Sequence, residues 1–322
     1  MKEICKNIIE IYEKKNNFNC CNEIQKKIKE TQYDIGVLII WDKKYEKIIL
    51  KELCDLNISL IYKKEYETTK KFTENLLRQI HYGKIWWKQN IIVETDKRFT
   101  NIMNSYYIMK KFLHKEIREI KNHIRNKYNL DKHVFHMSDP DCKPHIGIKC
   151  NCICNRDEFN NETYKHIQLL MNRNTLHFLY NSSYINQLNF YKYFNKYCNY
   201  IHLNNLNHNE YLIDNGGVLS LYGLRDAHDL DYITISNIQF KQKDNDCMNY
   251  LHEQEFKKLN LSIKDIIDNP ENHFYFNGMK VLSIHILKKF KYNRTINIVG
   301  GQKNIRIKDI NDYNMLVKFL KS

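Results

Sequence analysis

The chain has 322 residues, 43% of them hydrophobic and 13% aromatic, with a formal net charge of +14. That apolar content excludes a disordered polymer and is enough for about two domains of ordinary size. The positive charge suits anionic partners such as nucleotides or nucleic acid, although the lysines are spread over both halves rather than gathered in a tail. Ile, Asn, Lys and Tyr abound while Ala, Gly and Pro are scarce, the bias of an AT-rich genome, so single Asn or Lys residues carry little functional weight. No apolar run approaches the ~20 residues needed to span a bilayer. Ten cysteines in a chain this long do not make a disulfide framework and read as reduced thiols.

Residues 1–30 carry Ile8, Ile9, Ile11 and Tyr12 near helical spacing and read as one or two helices. Their acidic residues and broken apolar pattern are unlike a secretory signal, so a cytoplasmic protein is expected. The run from Asp34 to Trp41 reads as a buried strand, 44–56 as a helix, and the run from Ile58 as a second strand. Phe72, Leu76, Leu77 and Ile80 form one stripe of a helix over 69–81. The β-branched run Ile91–Thr95 predicts a third strand, and 112–128 a long basic helix. Residues 137–160, with Pro140, Pro144 and Gly147, predict a junction, and the domain boundary is placed at 155/156. Beyond it, helices are expected over 162–180, 188–200, 247–259, 281–291 and 309–320, and a strand and turn over 273–278.

Chemistry concentrates in 211–235. Asn215-Gly216-Gly217 places two adjacent glycines in a chain that has only 9. After an eleven-residue gap comes Asp229-Leu230-Asp231-Tyr232, at the head of a β-branched run. A strand alternates its side chains, so Asp229 and Asp231 leave one face. Two carboxylates beside a bare glycine backbone are what metal-assisted phosphoryl transfer needs: oxygen ligands for Mg²⁺ and room for a phosphate to approach.

This segment resembles the nucleotidyltransferase superfamily, the DNA polymerase β-like fold. That pattern is a hydrophobic residue, Gly-Gly or Gly-Ser, a gap of roughly this length, then Asp-hydrophobic-Asp. Asn215 departs from it where a hydrophobic residue is usual. The resemblance implies that Asp229 and Asp231 are catalytic and hold Mg²⁺ (or Mn²⁺) over a nucleoside triphosphate. It implies that Gly216 and Gly217 cradle its phosphates, with Arg225 adding a charge. The C-terminal run with Lys288, Arg294 and Lys308-Asp309 is similar to the family's tail, whose basic groups hold phosphate or brace the site. Many members carry a third carboxylate on a later strand. The strand expected to match is 273–276, which has none, with Asp268 and Glu271 nearest.

The fold class implied is α/β (α+β): a nucleotidyltransferase-like mixed sheet with helices over 156–322, preceded by a ferredoxin-like accessory domain over 1–155. In that first half, His136-Met137-Ser138-Asp139 resembles the active-site run of nucleoside diphosphate kinases, with Met137 in place of a glycine. A core or loop histidine is the plainer reading of His136. Cys150, Cys152 and Cys154, with Cys142 and His145 upstream, lack a second ligand pair at zinc spacing. Trp86, Trp87 and Tyr82 offer either a stacking surface or packing. The function expected is transfer of a nucleoside monophosphate from an NTP to an unknown hydroxyl or phosphate acceptor. The alternatives are a fukutin-type phosphosugar or phosphocholine transferase, and a degenerate nucleotidyltransferase fold that binds nucleotide or nucleic acid.

Overall fold

The computed structural model describes residues 33–81, 85–138, 161–183, 188–238, 247–249, 253–296 and 307–321. The chain is mixed α/β and divides into two units, Met1–Asn172 and Arg173–Ser322. The boundary expected from sequence, 155/156, lies outside the described residues, as do the predicted helices of 1–30.

In the first unit, the elements run β1 (Tyr33–Ile40), α1 (Glu46–Asp55), β2 (Ser59–Glu67), α2 (Lys70–Ile80), α3 (Ile85–Arg98), β3 (Ile102–Lys111), α4 (Leu113–Lys127), β4 (Phe135–Met137) and α5 (Asn161–Met171). The sheet order is β2-β3-β1-β4 with every neighbouring pair antiparallel. That is the order and direction of a ferredoxin-like sheet, with α2 and α3 inserted between its second and third strands. β1 is central, and its apolar run from Val37 to Ile40 is almost wholly buried. Leu38, Ile40, Tyr106 and Ile108 pack against Ile49 and Leu53 of α1 and Ile117 and Ile124 of α4. Thr69 caps α2, its hydroxyl accepting the Phe72 N–H at 3.1 Å.

The strand expected at Ile91–Thr95 is a helix, α3. Ile91, Glu94, Thr95 and Arg98 are buried, while Ile92 and Val93 are 63% and 52% exposed. That is a helical period, not alternation. Thr95 Oγ1 donates to the Ile91 carbonyl at 2.7 Å, and Glu94 pairs with Arg98 one turn on. Packing here overrides the strand preference of β-branched residues. The third strand is β3 instead.

The second unit runs α6 (Arg173–Asn181), α7 (Leu188–Leu203), β5 (Tyr211–Ile213), α8 (Asn215–Leu221), β6 (Leu230–Thr234), β7 (Cys247–Asn249), α9 (Glu253–Lys257), α10 (Ile263–Asp268), β8 (His273–Phe276), β9 (Met279–Leu282), α11 (Ile284–Thr295) and α12 (Ile307–Phe319). Its five-stranded sheet has the order β7-β6-β5-β9-β8. β5 is antiparallel to β6 and parallel to β9, and β6 is parallel to β7, so the sheet is mixed. Phe178 stacks on Phe274 at 4.8 Å, and Phe190 and Phe194 pack edge-on to Phe276, tying α6 and α7 to β8.

Three expectations change here. The helix predicted over 162–180 is two, α5 and α6, parted at Asn172 where the units divide. The helix predicted from 247 begins as a strand, β7, beside β6. The helix predicted from 281 begins at Ile284, because Asn277 and Gly278 (φ 50° and 83°) make a two-residue hairpin turn and Val281 lies in β9.

Candidate functional site

The glycine pair and the Asp-x-Asp strand are brought together by the β5–β6 ladder. Past the end of β5, Asp214 adds one more rung: its N–H donates to the Asp231 carbonyl at 3.0 Å. The Asp214 carbonyl then accepts the Gly217 N–H at 3.2 Å, starting α8. Between them Asn215 sits in the left-handed region, φ 44°. Asn tolerates that conformation far better than a large hydrophobic residue does, which gives a physical reason for Asn at this position.

The two glycines serve different ends. A methyl group at Gly217 would meet Ile213 Cγ2 at 2.6 Å and Leu230 Cδ1 at 3.1 Å, so this glycine lets α8 lie tight on β5 and β6. A methyl group at Gly216 would stand 3.6 Å from Arg225 Nη2 and 3.9 Å from Asp229 Oδ1. Those are ordinary contact distances, so buried Gly216 places its backbone against a carboxylate and a guanidinium without crowding. Asp229 stands just before β6 and Asp231 within it, both part-buried, while Leu230 and Tyr232 are buried on the other face. The alternation expected from sequence holds from Asp229 to Tyr232 and ends at buried Ile233.

Arg225 is fixed by a buried ion network. Its Nε lies 2.9 Å from Asp312 Oδ1 and its Nη2 3.3 Å from Asp312 Oδ2, while Nη1 donates to the Asp226 carbonyl. Lys291 of α11 bridges Asp309 (2.7 Å) and Asp312 (2.9 Å) of α12, and Arg294 lies 3.3 Å from Asp309. Burial would raise the Asp312 carboxyl, but hydrogen bonds from Arg225 and the Lys291 charge hold it below the ordinary range. Arg225 and Arg294 therefore brace two helices around the glycine–carboxylate element. Asp226 accepts N–H groups of Ala227 (2.9 Å) and Phe190 (3.3 Å), capping the start of α7, and His228 is exposed. Lys308 is exposed in the first turn of α12, and Lys288 lines a separate pocket on α11.

Sequence reading placed Asp309 beside Lys308 in the C-terminal run but assigned no bracing role to Asp214, Lys291, Asp309 or Asp312. The signal for the last three was present: Asp309 and Asp312 are three apart on one helix face, and Lys291 lies on the apolar face of α11 with Ile284 and Leu287. The strand thought to match the third carboxylate is also displaced. β8 lies at the far edge of the sheet, and the strand beside β6 is β7, where Met248 stands opposite Asp231. Asp268 is instead paired with Lys264 on the surface of α10. Among the described residues, no group of three or more His, Cys, Asp and Glu side chains gathers to hold a metal ion.

In the first unit His136 lies on β4 opposite Ile39, with the His81 and His166 rings 5.6 Å and 5.3 Å away. Ser138 Oγ accepts the Val37 N–H at 3.0 Å, a bond that fastens the end of β4 to β1. Asp139, Cys142, His145, Cys150, Cys152, Cys154, Tyr82 and the side chains of Trp86 and Trp87 lie outside the described residues. Among the described residues, no helix is long and apolar enough to cross a membrane.

No protein-family model matches this chain, and no curated protein matches it.

Proposed function

We propose that the second unit carries out metal-dependent transfer of a nucleoside monophosphate from an NTP to a hydroxyl or phosphate acceptor, with Mg²⁺ or Mn²⁺, in the cytoplasm. The observation that carries this is the convergence of Asp229 and Arg225 on the Gly216 backbone, where Arg225 Nη2 and Asp229 Oδ1 would lie 3.6 Å and 3.9 Å from a Gly216 side-chain carbon. Mg²⁺ is usually held by one or two carboxylates together with substrate phosphates, so the pair Asp229 and Asp231 fits it without a third protein ligand. When bound, the metal would neutralise charge on the transferring phosphoryl group and the departing pyrophosphate.

The remaining roles belong to the protein. Asp229 and Asp231 present acceptor-only oxygens from one face of β6. Gly216 admits the triphosphate against the backbone, where a side chain would obstruct it. Gly217 holds α8 in place, and Arg225 lends a fixed positive charge while its orientation is kept by Asp312. Exposed Lys308 adds to the positive field that draws in a triphosphate. In the reaction the acceptor oxygen forms a bond to the α-phosphorus as the bond to pyrophosphate breaks.

A second reading is a nucleotide- or nucleic-acid-binding module without turnover. It is favoured by one observation: among the described residues no third carboxylate joins Asp229 and Asp231. Incubating the full chain with each α-labelled NTP and Mg²⁺ or Mn²⁺ separates the two. Release of pyrophosphate, lowered on the order of 100-fold or more by Asp229→Asn or Asp231→Asn, supports transfer. Binding of NTP with no release under any acceptor mixture supports the module.

A further inference from the structure

The outward face of α11 forms a second site. At 100° per residue, His285, Lys288, Lys289 and Tyr292 lie on one side of this helix, opposite buried Leu287, Phe290 and Lys291. They line an open pocket of about 360 Å³, a size within the range of small-molecule sites, bordered by Asn293, Tyr313 of α12 and the turn after α9.

Three features define what fits there. Lys291 and Arg294 are consumed by Asp309 and Asp312, but among the described residues no carboxylate lies within ion-pairing distance of Lys288 or Lys289. Two adjacent ammonium groups on one rim call for an anion. Tyr292 is 47% exposed, and its ring lies 5.4 Å from the tilted ring of Tyr313, so the pocket offers an aromatic surface. His285 is kept below its ordinary pKa, first by burial and then by the charges of Lys288 and Lys289. It therefore enters at neutral pH as an uncharged hydrogen-bonding group, as does Asn293.

We propose that this pocket binds a nucleotide unit, with its phosphate at Lys288 and Lys289 and its base stacked on Tyr292. The unit is either a free nucleotide or the end of a single strand; both present the same base and phosphate. Nothing in this assignment rests on the metal-dependent reading of Asp229 and Asp231. The site lies on the solvent side of α11, whereas the Lys291 network lies on its inner side.

The test is equilibrium dialysis of the full chain in EDTA, which removes any metal-dependent binding. Labelled AMP, a short oligoadenylate and ribose 5-phosphate are compared. Binding of AMP or the oligomer is expected, weakened about tenfold by Tyr292→Leu and at least as much by the double variant Lys288→Ala/Lys289→Ala. Asp229→Asn should leave it unchanged. Tighter binding of the oligomer identifies a strand end as the ligand, and equal binding identifies the free nucleotide. The proposal is overturned if neither nucleotide ligand binds, if ribose 5-phosphate binds as well as AMP, or if the α11 variants bind like wild type.

Discussion

Gly216 and Gly217 are identical in sequence but differ in what a side chain would cost. At Gly217 an added methyl group collides with Ile213 and Leu230, both buried, so the strand or the helix must shift. Gly217→Ala should therefore destabilise the full chain by about 1–3 kcal/mol, as overpacked cores do. At Gly216 the same methyl group meets only ordinary contact distances. Gly216→Ala should leave urea unfolding nearly unchanged yet weaken metal–NTP binding. Equal stability loss at both positions would refute the division of labour. That division was not legible in the sequence, because it depends on which neighbours the ladder brings to each glycine. The pairing of Asp229 with Asp231 on one face was legible, because strand alternation is a local property.

At the scale of elements, α11 and α12 are latched to the glycine–carboxylate segment by Arg225, Lys291, Arg294, Asp309 and Asp312. Asp312 is almost wholly buried and receives two cations. Removing one partner of such a network leaves uncompensated buried charge, typically at 3–5 kcal/mol. Asp312→Ala should lower the full chain's urea midpoint by a corresponding amount. Because the folded carboxyl is held below its unfolded pKa, the contribution is complete at neutral pH and is lost as pH falls below about 4. A midpoint that matches wild type at pH 7 would show that the latch contributes nothing. Periodicity located α11 and α12 but could not say which basic residue faces inward. Lys288 and Lys291 differ by less than one turn, and burial alone distinguishes them. The misread strand at Ile91–Thr95 has the same origin: β-branched composition suggested extension, while the long-range packing of Ile91, Glu94 and Arg98 decided for a helix.

On the scale of the whole molecule, each unit wraps its own sheet. The first is antiparallel in the ferredoxin-like order; the second is mixed, with β5 and β6 at its centre carrying the candidate site. β3 and β4 of the first unit escaped the sequence reading, but its first two strands and the helices that follow them were readable from hydrophobic runs, because β1 is buried on both faces and so is continuously apolar. Sheet order in the second unit was not, because β7, β8 and β9 are three or four residues long and their neighbours are set by crossovers. The central claim is that Asp229 and Asp231 hold a divalent metal with an NTP beside Gly216. The most direct measurement is electron paramagnetic resonance of Mn²⁺ with ATP and the full chain. Bound Mn²⁺ should require ATP, and Asp229→Asn and Asp231→Asn should each weaken it about tenfold or more, in keeping with the loss of a charged ligand contact. Mn²⁺–ATP binding that is equal in wild type and both variants would contradict it.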